Sequence, residues 1–117
     1  MAKITRENAL QELLIRVPEF KDSQNFEEYI LVETTIVFDH FGDFVLEKIE
    51  AGEDSIIKKC FDFINEMQES EDRHVQNLPV VGVFEVLVSS KKGIEVAEKL
   101  LNEKGMEWFL KIKNFNH

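Results

Sequence analysis

The sequence predicts an all-α fold: a single compact domain, residues 1–117, of five or six helices packed around a buried apolar helix at about 79–90. Three observations carry this. Apolar residues recur at spacings of three and four in 5–16, 34–51 and 54–70, as in helices with one buried face. From Leu78 to Val88 there are eight apolar side chains and one charge, Glu85, and a segment apolar on all sides must be covered on all sides. No other run alternates as a half-buried strand does. A strand at 79–90 is the competing reading of this Val- and Phe-rich run, and it would have no partner for its backbone groups.

Each element follows from local chemistry. Residues 5–16 form a helix with Thr5 as cap and Leu10, Leu13, Leu14 and Val17 on its inner face, and Pro18 stops it near Arg16. In 18–34, Asp22, Ser23 and Asn25 are turn or cap residues, and Phe26, Tyr29 and Ile30 share one face of a short helix. Residues 34–51 form a long helix, with Gly42 marking a kink or a close helix contact and Gly52 its stop. Residues 54–70 form the clearest helix, capped by Asp54 or Ser55, with Ile56, Ile57, Cys60, Phe61, Ile64 and Met67 inward. The Gly52–Glu53 link makes these two an antiparallel hairpin.

After a separate helical turn at 71–78, Asn77 caps and Pro79 begins the central helix, and Gly82 lets a neighbour approach closely. Ser89 or Ser90 caps a helix at 91–103, whose inner face is Ile94, Ala97 and Leu101, broadened by Val96 and Leu100. Gly105 ends it, and Met106, Trp108, Phe109, Ile112 and Phe115 close the chain as a short helix or an extended tail that caps the core or forms an interface.

A 117-residue chain buries about two thirds of its unfolded surface, enough for a core without metals or disulfides. One cysteine excludes an internal disulfide, and no run approaches membrane-spanning length. With no signal-peptide core, a cytoplasmic protein is expected. The net charge of −9 is uneven: residues 19–46 and 47–72 each sum to −6, whereas 91–113 sum to +2. Such acidity argues against nucleic acid as a direct ligand and permits a basic protein partner steered by charge. A solvated acidic surface that only aids solubility is the alternative.

No constellation reads as catalytic machinery. Asp39, His40, Asp43 and Glu47 recur on one helix face at a spacing that suits a divalent cation, but bundle sites draw such motifs from two facing helices, and a second is missing. No metal or other cofactor is therefore expected. His74 near Glu71 and Asp72 lacks a nucleophile at a meaningful spacing, and Cys60 sits on an apolar face as a small hydrophobe. Glu85 either lies at a rim, pairs with Arg73, His74, Lys91 or Lys92, or serves as an acid in a pocket. His117 is terminal.

The phrases Val17-Pro18-Glu19-Phe20, Phe41-Gly42-Asp43-Phe44, Phe61-Asp62-Phe63-Ile64-Asn65, Val75-Gln76-Asn77-Leu78 and Phe84-Glu85-Val86-Leu87 together resemble a group of small all-helical bacterial proteins that includes immunity proteins of polymorphic toxin systems. The resemblance covers residues 17–90 and implies a helical array with a protein-binding role. The expected function is thus a non-enzymatic binding protein that neutralises a basic toxin through an acidic helical face. Its expected contact residues are Glu33, Asp39, Asp43, Glu47, Asp62, Glu66 and Glu69, with Trp108 on the apolar C-terminal segment. The alternatives are a homodimeric interaction module acting through that segment, and an enzyme using Glu85 and His74.

Overall fold

Seven helices follow one another among the described residues, 3–23 and 34–115 of a computed structural model, and no strand occurs among them. Glu33, Phe26, Tyr29, Ile30 and His117 lie outside the described residues, so the expectations placed on them have no structural counterpart here. The helices are α1 (Ala9–Arg16), α2 (Pro18–Ser23), α3 (Thr34–Ala51), α4 (Asp54–Gln68), α5, α6 (Lys91–Leu100) and α7 (Glu103–Phe115). α5 joins three stretches end to end: Arg73–Pro79, the π-helical turn Val80–Phe84, and Glu85–Leu87. Together they form a single globule.

Several boundaries differ from the sequence reading. α1 starts at Ala9 rather than Thr5. Thr5 and Asn8 instead close a turn on each other, the Thr5 N–H donating to Asn8 Oδ1 at 2.7 Å and the Asn8 N–H to Thr5 Oγ1 at 3.2 Å. Pro18 both ends α1 and opens α2, because its fixed φ suits a first helical turn. α3 and α4 lie where the spacing puts them, and Gly52 between them adopts φ 71°, the left-handed conformation a side chain would disfavour. Glu53, not Asp54, occupies the N-cap of α4 and makes no side-chain bond there.

The largest departure is α5. The turn expected at 71–78 and the helix expected at 79–90 are one helix, begun by Asp72, whose Oδ1 accepts the His74 N–H at 2.9 Å. Pro79 lies inside it. A proline cannot donate to the carbonyl four residues back, and the chain goes directly into a π turn, a common response to a broken ladder. Nor is the segment apolar on all sides in use: Val83, Phe84 and Leu87 are fully buried, but Val81 is 55% exposed and Glu85 faces solvent.

α3 and α5 cross closely. A Cβ on Gly42 would run into the Gly82 carbonyl oxygen, and one on Gly82 would stand 2.6 Å from the Phe38 carbonyl oxygen. Only glycine permits backbones this near. Phenylalanines fill the space beside the crossing: Phe20 meets Phe41 and Phe44 edge-on at 5.3 Å, and Phe84 meets Phe109 edge-on at 5.6 Å.

The C-terminal boundaries also move. Ser90 Oγ caps α6 by accepting the Gly93 N–H at 3.2 Å, as expected of one of the two serines. α6 stops at Leu100, and Gly105 is inside α7 rather than at a helix end. Asn102 starts α7, its Oδ1 accepting the Gly105 N–H at 2.8 Å. Asn65 of α4 holds the same link, donating to the Leu100 carbonyl at 3.0 Å and accepting the Asn102 N–H at 2.9 Å.

Candidate functional site

The acidic residues fall into two rows whose chemistry differs. The α4 row is engaged within the molecule. Asp62 accepts from Lys58 at 2.6 Å. Glu66 pairs with Arg16, which also reaches Glu12 at 3.1 Å. Glu69 accepts from Asn102 at 2.9 Å, with Lys104 at 3.9 Å. Asp62 and Glu66 line a cavity with Arg16 of α1, and Asp62 also lines a groove shared with α6. These side chains therefore look onto α1 and α6.

The α3 row is largely unengaged. Asp39, Asp43 and Glu47 are exposed at successive helical turns. Asp39 and Asp43 form no ion pair among the described residues. Glu47 lies 3.9 Å from Lys48, whose ammonium is held by Glu53 at 2.9 Å. At the Gly42–Gly82 crossing Gly82 of α5 lies against the backbone of Phe38 and Asp39, and its neighbour Val81 lines a small cleft with Thr35 of α3. Ile36, 44% exposed, precedes Asp39 by one turn. Glu85 has no ion pair among the described residues, which agrees with the rim position rather than with a buried pair or a pocket acid. Asp39, Asp43 and Glu47 on α3, Glu85 on α5 and the aliphatic side chains Ile36 and Val81 are all exposed.

Trp108 belongs to neither row. It is half-buried on α7, with the Lys111 ammonium 5.0 Å from its ring centre. Between α4 and α6 lies a feature the sequence reading missed, a groove of about 370 Å³ walled by Ile57, Phe61, Val96 and Leu100, with Lys58 and Lys99 among its lining. The partial exposure of Leu100 and Val96 creates it; helical spacing alone assigns both to a buried face.

Burial pushes the Cys60 thiol up to about 12, reinforced by the charge of Glu19, so it is a packed hydrophobe rather than a nucleophile. Glu19 is held below the usual carboxylate range by its bond from Lys59 at 2.7 Å. His74 begins a helix beside Asp72. Among the described residues no group of three His, Cys, Asp or Glu side chains is arranged to hold a metal ion, and no helix is long and apolar enough to cross a membrane.

The family described as Domain of unknown function (DUF7674) matches residues 10–117 of the chain. No curated protein and no solved structure matches it.

Proposed function

We propose that this chain, which belongs to the DUF7674 family of domains of unknown function, is a non-enzymatic protein-binding domain whose contact face is the acidic row Asp39, Asp43 and Glu47 together with Val81 and Glu85 of α5. In its most specific form the reading is an immunity protein of the bacterial cytoplasm that covers the active surface of a basic toxin, with α5 as the scaffold on which the other helices pack. The observation that carries it is the contrast between the rows. The α4 carboxylates have partners inside the chain, whereas Asp39 and Asp43 stand exposed without an ion pair among the described residues. Exposed carboxylates speed encounter with a cationic partner, whose charge offsets the cost of desolvating them, and exposed Val81 and Ile36 supply apolar area for the contact.

The test replaces Asp39, Asp43 and Glu47 together with lysine and measures association with the protein encoded by the neighbouring reading frame, at low and high salt. The expected result is a slower association at low salt that converges with wild type as salt rises, since screening at about 0.15 M acts over about 8 Å. An unchanged rate at low salt removes the acidic face from the mechanism.

The homodimer is the second reading, favoured by Leu110 at 40% and Phe115 at 89% exposure on α7. A mass that rises with protein concentration and falls to that of the monomer in Phe115→Ser supports it.

A further inference from the structure

In one concave part of this acidic molecule three of the six lining residues are cations. Arg73, Gln76, Lys104, Glu107, Trp108 and Lys111 line an open cavity of about 230 Å³ between the first turn of α5 and the first turns of α7. Three positive groups face one carboxylate there, in a chain of net charge −9. Some cations elsewhere have close acids, such as Lys58 with Asp62 at 2.6 Å, Lys59 with Glu19 at 2.7 Å and Arg6 with Asp72 at 2.8 Å, and others, such as Lys91, Lys92 and Lys99, have none among the described residues. Arg73 and Lys111 form no ion pair among the described residues, and Lys104 has a long one, to Glu69 Oε2 at 3.9 Å, while Asn102 donates to the other oxygen of that carboxylate. Lys111 is instead turned over the Trp108 ring. Glu107 lines the same cavity without pairing to any of the three.

We infer that this cavity binds a phosphate monoester. A single carboxylate would leave two of the cations unmatched, whereas a monoester carries about −1.5 to −2 charge and three strong acceptor oxygens. Arg73 supplies a planar fork for two of those oxygens, and the lysines act as point charges on the rest. The volume is below the roughly 300–1,000 Å³ of sites that engulf a whole drug-sized ligand, so the cavity holds the phosphate and the atoms next to it, with the body outside. Glu107 repels a ligand that is anionic throughout and accepts a hydrogen bond from a hydroxyl or amino group near the phosphate. Trp108 offers an apolar wall to the carbon skeleton. The same phosphate chemistry occurs on a free small molecule and on a phosphorylated segment of a partner protein.

Trp108 is the single tryptophan, so its fluorescence reports on the site directly. The full chain is titrated with inorganic phosphate, AMP and a phosphoserine peptide, with ionic strength held constant by chloride. The expected result is a saturable emission change with phosphate compounds and none with added chloride. Arg73→Gln and Lys104→Gln should each weaken binding about tenfold, as loss of one charge-assisted contact does. Lys91→Gln, an exposed lysine outside the cavity, should leave it unchanged. Circular dichroism checks that each variant keeps its helices. Tighter binding of AMP identifies a free small molecule as the source, and tighter binding of the peptide identifies a phosphorylated segment. No saturable change with any phosphate compound, or equal weakening by Lys91→Gln, overturns the inference.

Discussion

The acidic rows of α3 and α4 read alike in the sequence and differ in the folded chain. Both place carboxylates at helical spacing on an outer face. On α4 each meets a donor: Lys58, Arg16, or Asn102 with Lys104. On α3, Asp39 and Asp43 meet none among the described residues, and Glu47 has only a long contact to a lysine held elsewhere. The difference teaches that net charge along the chain is a poor guide to available charge. Arg16 is 50 residues from Glu66 and Asn102 is 33 from Glu69, so only the fold decides which acids remain for a partner.

The comparison breaks most severely if the α3–α5 crossing is removed, because that crossing fixes α3, and with it the acidic row, against α5. Gly42→Val forces a branched side chain into the Gly82 carbonyl and should destabilise the protein by about 3 kcal/mol, the upper range of overpacking. Urea denaturation measures it, and a loss under about 1 kcal/mol would mean the two backbones part easily.

A smaller effect is expected at the link between α4 and α7. Asn102→Ala removes the cap on Gly105 and the partner of Glu69 together, and should cost about 1–2 kcal/mol. Asn102→Asp keeps the cap acceptor, loses the amide donors and sets a second carboxylate beside Glu69. An Asp variant as stable as wild type would show that Glu69 gains nothing from its neighbour.

The smallest effect concerns acid pH. The bond from Arg6 holds the Asp72 carboxyl down at about 2, against an ordinary 3.8. A lowered folded-state value contributes stability that is present above the ordinary value and is lost as pH falls toward the folded one. The urea midpoint should therefore decline between about pH 4 and about pH 2 less steeply in Asp72→Asn than in wild type. Parallel profiles would mean that Arg6 and Asp72 do not interact in solution.

Helices α3 and α4, the Gly52 stop and the Ser90 cap were legible because each depends on residues within one or two turns. Gly42 and Gly82 were each read as points of close approach, and the structure pairs them with each other. α5 was not legible as one helix. Pro79 is a good first helical residue, so local chemistry favours a start there, whereas in the structure it lies inside a helix that continues as a π turn at Val80–Phe84. The partners of Asp62, Glu66 and Glu69 were hidden for different reasons: Lys58 is a local neighbour that spacing showed without fixing the contact, whereas Arg16, Asn102 and Lys104 arrive by tertiary packing. Arg73, Lys104 and Lys111 likewise form a cluster only once α5 lies against α7.

The central claim, that the α4 acids are engaged within the fold while the α3 acids are not, is tested most directly by neutralising each row and measuring stability. One variant carries Asp39→Asn, Asp43→Asn and Glu47→Gln; the other carries Asp62→Asn, Glu66→Gln and Glu69→Gln. Urea unfolding at neutral pH and low salt should leave the α3 variant within about 0.5 kcal/mol of wild type or slightly above it, since like charges a turn apart repel. The α4 variant should lose about 1–2 kcal/mol, chiefly through Arg16 left half-buried without Glu66. Equal losses in the two variants, or a larger loss from the α3 row, would contradict the account.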